Sequence, residues 1–143
     1  VLPRHLILRT QWVYAAHGAN FVKTMLRLGA ERDVVRVVVD QCGCPTSADD
    51  LAAAILDIAA QLPAASEAVW GTYHLSGSGT ATWHDVAAET FRLAAARGAK
   101  VPRLEAITTA EYPTAAQRPA YSVLDNARIA RVFGIPVYLH ASG

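Results

Sequence analysis

Five valines in six positions, VVRVVV at residues 34–39, restrict this chain more than any other stretch. Two branches on Cβ crowd a helix and pack well on a pleated sheet, so the run is the strongest strand signal present. The segments around it alternate in kind. Residues 5–13, HLILRTQWV, are apolar and branched enough for a buried strand, and residues 20–28 then carry Phe21, Met25 and Leu28 at helical spacing, with Gly29 as a stop. Residues 47–50, SADD, open a helix with a capping hydroxyl and first-turn carboxylates; Leu51, Ile55, Ile58 and Leu62 follow on one face, and Pro63 ends it. Residues 72–75 read as a short strand, 82–97 as a helix capped by Thr82 with Asp85 three residues on, 104–108 as another strand, and 125–133 as a last helix before Gly134. Strands alternating with helices predict an α/β architecture with parallel pairing and helices on the faces.

Such a fold needs a core, and composition supplies one. The 143 residues are 52% hydrophobic and 17% charged with a net charge of +1, which leaves no electrostatic bias toward nucleic acid or a membrane surface. No apolar run approaches the roughly 18 to 20 residues of a membrane span, and the start, VLPRHLILRT, lacks the long apolar segment of a signal peptide. The expectation is a cytoplasmic globular chain with neither nucleic-acid nor membrane partner. Val1 stands where a starting Met would, so it reads as an internal cut or a residue exposed by processing, and the expectation is that the chain is part of a longer gene product.

Both cysteines, Cys42 and Cys44, fall in DQCGCPT at residues 40–46. A closed zinc site needs four ligands, usually with two or more residues between paired cysteines, and a redox pair needs C-x-x-C; a single C-x-C meets neither requirement. A disulfide between them would close a very small, strained ring. The histidines His5, His17, His74, His84 and His140 form no H-x3-5-H pair, although a fold could gather distant ones. The expectation is no metal site and two thiols in a reducing compartment.

GSGTAT at residues 77–82 lies between a strand and a helix, where a dinucleotide-binding G-x-G-x-x-G would sit, but Thr82 replaces the third glycine. No acidic residue ends a following strand about 20 residues on, so the glycines read as a loop leading to a cap. A Tyr-x-x-x-Lys pair, in which lysine lowers the phenol's pKa for proton donation, is also missing: Ala19 and Ala96 precede the two lysines, Lys23 and Lys100, by four positions. No catalytic residue and no cofactor-binding residue is expected in this chain.

Five blocks in order, LRTQWVY (8–14), NFVKTMLRL (20–28), VVVDQCGCPT (37–46), GTYHLSGSGTATWHDVA (71–87) and RPAYSVLD (118–125), resemble the C-terminal half of the dTDP-4-dehydrorhamnose reductase family, extended short-chain dehydrogenases with a Rossmann-like fold. The resemblance spans residues 6–134; DQ-x-G-x-PT and RP-x-x-S-x-LD carry it most specifically. It implies that residues 1–143 are one substrate-binding region of edge strands and helices plus a small separate sheet, and that the cofactor-binding half lies upstream. Both cysteines occupy x positions of the first motif, which makes the stretch a turn on the substrate side.

The resemblance also implies site residues. Trp12 would pack on the sugar of a dTDP-sugar, a flat apolar ring against pyranose C–H groups, its alternative being a core tryptophan. Asn20 and the helix start it opens would meet diphosphate, or Asn20 is an N-cap alone. Gln41 would hydrogen-bond the nucleotide or sugar, or else close the turn. Arg118 would hold the diphosphate with its planar fork, against a surface salt bridge as the plainer role. Arg27, Arg36 and Arg97 read as solvated. Gln11 and Ala15 depart from the family's usual small residue and glycine, which leaves the sugar preference open.

For the whole parent the family implies reduction of the 4-keto group of dTDP-4-dehydro-L-rhamnose to dTDP-L-rhamnose for polysaccharide biosynthesis, with NADPH or NADH, and it admits a magnesium ion and a homodimer. The alternatives are a non-catalytic relative resembling the regulatory subunit of methionine adenosyltransferase, and another sugar-nucleotide epimerase or reductase of the superfamily.

Overall fold

The computed structural model describes residues 2–64 and 66–136; His140 lies outside them. The chain runs β1 (Leu6–Arg9), β2 (Val13–Tyr14), α1 (Phe21–Glu31), β3 (Val34–Val38), β4 (Cys42–Gly43), β5 (Thr46–Ser47) and α2 (Ala48–Gln61). It continues through β6 (Gly71–His74), β7 (Ala81–Thr82), α3 (Trp83–Ala96), β8 (Arg103–Ile107) and α4 (Ala127–Phe133), with short 3-10 turns at Leu62–Ala64, Glu67–Val69 and Thr109–Glu111. The expected α/β alternation is present, and among the described residues three of the four strand pairs are parallel.

The chain divides into two compact units. The first comprises residues up to Ala15, Cys44–Gly79 and the chain from Leu124; the second comprises Ala16–Gly43 and Thr80–Val123.

In the first unit β1 and β6 pair in parallel, Leu6 opposite Gly71 and Arg9 opposite His74, and β2 pairs in parallel with β5. Alternation puts Tyr73 and Leu75 on one face, where they join Ala54 and Ile58 of α2 and Ile129 and Phe133 of α4 in a core that also takes in Leu6 and Leu8. Tyr73 packs edge-on to Phe133 at 5.3 Å, donates its hydroxyl to the Val69 carbonyl at 2.6 Å and carries the Arg128 guanidinium over its ring. Gly134 closes α4 in the left-handed conformation, as a glycine just past a helix end is suited to do.

In the second unit β3 and β8 form the small separate sheet, Val34 opposite Arg103 through Val38 opposite Ile107. Val35 and Val37 face Met25 of α1 and Ala87 and Phe91 of α3. Antiparallel β4 and β7 pair Cys42 with Thr82 and Gly43 with Ala81.

Three sequence expectations need correction. The strand expected over residues 5–13 is two strands, because Trp12 takes a positive φ of 48° and turns the chain between β1 and β2. Gly29 does not stop α1, which continues to Glu31; a Cβ there would meet Phe91 Cε1 at 2.8 Å and Pro102 Cδ at 3.2 Å, so the glycine permits close helix packing. Ile55 is 43% exposed, and Ala54, fully buried, takes the place expected for it in the core.

Candidate functional site

The two most specific motifs meet in the second unit. Cys42 donates its N–H to the Ala120 carbonyl at 2.8 Å, and Ser122 sends both its N–H, at 2.9 Å, and its hydroxyl, at 3.0 Å, to the Cys42 carbonyl. Cys42 and Tyr121 thereby form a parallel bridge. Cys42 contributes its backbone here, which is why a motif can leave its side chain unspecified; both cysteines are free thiols.

The residues before the bridge grip a second segment. Asp40 accepts from the Thr109 N–H at 2.9 Å and from the Thr109 hydroxyl at 2.7 Å, and Gln41 donates its amide to that same hydroxyl at 3.0 Å. The Thr109 N–H, and after it the hydroxyl, hold the Asp40 carboxyl below its ordinary pKa. Gln41 is buried, so this partner fixes its amide. Arg118 lies two residues before Ala120 on the paired segment; it is exposed and has no hydrogen-bond or ion-pair partner among the described residues. Arg36 is paired with Glu105 and Glu111, and Arg27 with Glu31, all at the surface as expected.

Asn20 is the N-cap of α1 and accepts the Lys23 N–H at 3.1 Å. Its helix start is adjoined by the Lys23 ammonium, which donates to the Ala16 carbonyl at 3.1 Å.

In the first unit Trp12 is half-buried at the carboxyl end of β1. A bulky residue with a left-handed backbone costs about 1–3 kcal/mol and persists where its surroundings over-determine it. Its carbonyl accepts the Thr46 N–H at 3.1 Å. Thr46, buried, donates its hydroxyl to the Cys44 carbonyl and accepts the Gly77 N–H, each at 3.1 Å. On the far side of that loop Asn126 accepts the Ser76 N–H at 3.1 Å and donates to the Ser76 carbonyl at 2.8 Å. Tyr14, opposite Ser47 in the β2–β5 pair, has its phenol pKa raised by burial and then by the Asp50 carboxylate, so it stays protonated at neutral pH.

The motif reading named Trp12, Asn20, Gln41 and Arg118. Asn20, Gln41 and Arg118 fall in the second unit, Gln41 and Arg118 on segments joined by the Cys42 bridge, and Trp12 falls in the first. It passed over Thr46, Ser122 and Asn126, although Thr46 and Ser122 are constant letters of the quoted patterns.

A dinucleotide does not fit the GSGTAT segment. The chain passes through β7 before α3, and the first turn of α3 is closed by a reciprocal cap: Asp85 accepts the Thr82 N–H at 2.8 Å while Thr82 accepts the Asp85 N–H at 3.1 Å. The Thr82 N–H and hydroxyl lower the Asp85 pKa, which places a carboxylate where a pyrophosphate would need open N–H groups. Among the described residues no group of three or more His, Cys, Asp or Glu could hold a metal ion, and no helix is long and apolar enough to cross a membrane.

Comparison with known proteins identifies the family. The model of the RmlD substrate binding domain matches residues 1–141. A dTDP-4-dehydrorhamnose reductase of Sinorhizobium fredii is 47% identical over 134 residues, 93% of this chain and 45% of the relative. Among solved structures, a dTDP-4-dehydrorhamnose reductase from Clostridium acetobutylicum superposes with a TM-score of 0.84 at 38% identity, covering 96% of this chain and 45% of that one. Another, from Bacillus anthracis in complex with NADP, gives 0.81 at 35% identity over 94% and 44%. The chain spans a little under half the length of the curated relatives it matches.

Proposed function

Since the chain belongs to the RmlD substrate binding domain family, we propose that it is the substrate-holding half of a reductase that converts dTDP-4-dehydro-L-rhamnose to dTDP-L-rhamnose with NADPH. The observation that carries this reading is the match of the family model to almost the whole chain. The relatives reported are reductases, so the non-catalytic alternative gains no support.

In this reading the diphosphate lies against Arg118, whose planar fork takes two phosphate oxygens at once and whose charge no carboxylate among the described residues neutralises. The α1 start at Asn20 supplies further donors to the diphosphate, Gln41 hydrogen-bonds the nucleotide or sugar, and the Trp12 ring takes the apolar face of the sugar. Reduction adds hydride to C4 and a proton to its oxygen; the nicotinamide supplies the hydride when bound. The upstream half would hold it, since the GSGTAT segment does not. NADPH is preferred to NADH because a relative was solved with NADP. A homodimer in the cytoplasm belongs to the same reading, in keeping with two free thiols.

The test is kinetic. In the full-length parent, Arg118→Ala should raise the Michaelis constant for the dTDP-sugar roughly 10- to 100-fold, as loss of a charge-assisted contact of about 1.5–3 kcal/mol requires. Arg118→Lys should recover part of the loss, and the constant for NADPH should hold. A variant with unaltered sugar kinetics and a lowered melting temperature would make Arg118 structural and remove the residue-level basis of the assignment.

A further inference from the structure

β1 and β6 run in parallel and in register, so their carboxyl ends leave the sheet side by side: Arg9 pairs with His74, and the Leu75 N–H reaches the Arg9 carbonyl at 2.9 Å. Ligands of open α/β sheets lie outside such ends. From β1 the chain enters residues 10–12 and the left-handed Trp12; from β6 it enters the loop beginning at Ser76. Thr46 touches both. Its N–H holds the Trp12 carbonyl, and its hydroxyl holds the Gly77 N–H while donating to Cys44. Thr46, Ser76 and Gly77 are all buried, so the hydrogen bonds are shielded from water and cannot be exchanged for it cheaply. Asn126 braces the loop from the other side through the Ser76 N–H and carbonyl.

We propose that Thr46 is a positioning residue for the sugar end of the substrate: it holds Trp12 in its left-handed conformation and holds the Ser76–Gly77 loop at a fixed distance from it, with Asn126 as the loop's second brace. The proposal rests on the reading of Trp12 as the residue that meets the sugar. The Thr46 hydroxyl does not touch substrate. It ties the β6 loop to the strand whose N–H sets the Trp12 backbone, and without it the loop can shift relative to β5 and Trp12.

The test compares Thr46→Val, which keeps the shape and removes the hydroxyl, with Thr46→Ser, which keeps the hydroxyl, in the full-length parent. Thr46→Val should raise the Michaelis constant for the dTDP-sugar about tenfold, leave that for NADPH unchanged, and lower kcat less than twofold; Thr46→Ser should stay close to wild type. A merely structural threonine would lower the melting temperature of both variants and leave the sugar constant alone at assay temperature, and that result overturns the proposal. Should Thr46→Val not fold, Asn126→Ala releases the same loop and must raise the sugar constant in the same selective way; an unchanged constant overturns the proposal too. Trp12→Ala separates this claim from its premise. If Trp12→Ala leaves sugar binding intact, the reading of Trp12 falls and the positioning role with it; if Trp12→Ala weakens sugar binding and Thr46→Val does not, only the positioning role falls.

Discussion

Gly29 shows how a single missing methyl shapes a unit. A Cβ there would sit 2.8 Å from the Phe91 ring and 3.2 Å from Pro102, so Gly29→Ala must push a buried ring aside. Overpacking costs about 1–3 kcal/mol and the helix propensity gained is about 1 kcal/mol, so the net effect should be destabilisation near 1 kcal/mol, read as a lower urea midpoint. An unchanged or raised midpoint would show that Phe91 moves freely. From sequence this glycine reads as a stop, since the packing that needs it comes from a helix more than sixty residues away. The same limit hid Thr46 and Asn126. Thr46 is a letter of the first motif and Asn126 directly follows the second, but their partners, Gly77 and Ser76, are 31 and 50 positions distant, and local spacing encodes neither pair.

Helix caps, by contrast, are local devices, and they were legible: Ser47 caps α2, and Thr82 with Asp85 closes α3 as their three-residue spacing foretold. The inner face of α2 was legible only in part. Leu51, Ala54 and Ile58 share a stripe, and so do Leu51, Ile55 and Ile58; adjacent positions 54 and 55 compete, and the close approach that a small side chain allows decided for Ala54. The α3 cap carries a pH dependence. Asp85 has a lowered pKa in the fold, so its contribution is present above the unfolded carboxylate value of about 3.9 and is lost as pH falls through the folded value. Asp85→Ala should therefore cost about 0.3–1 kcal/mol at neutral pH, the range for an exposed carboxylate in a helix's first turn, and the gap from wild type should close in acid. Denaturant titrations at neutral pH and at about pH 2 measure it; a gap that persists undiminished would mean that the carboxylate charge is irrelevant to the cap.

At the scale of the molecule, each unit has its own core, and the first leaves apolar surface uncovered. Parallel sheets are ordinarily covered on both faces, yet Ile7, on the face of β1 opposite Leu6 and Leu8, is 46% exposed, and Ile55 and Leu56 of α2 are 43% and 70% exposed. The 143-residue chain by itself should accordingly self-associate, with a light-scattering mass that rises with concentration; a constant single-chain mass would count against it. The interleaving of the units also bears on how the protein is made. Asp40 finds its partner Thr109 69 positions later, and the Gln61 amide reaches the Phe133 carbonyl 72 positions on. At a ribosomal rate of about 5–20 residues per second, roughly 3–14 s separate the synthesis of such partners. During that interval the valine-rich β3 has been made while β8 has not, so the nascent chain, more than the finished protein, is the form that depends on protection from aggregation.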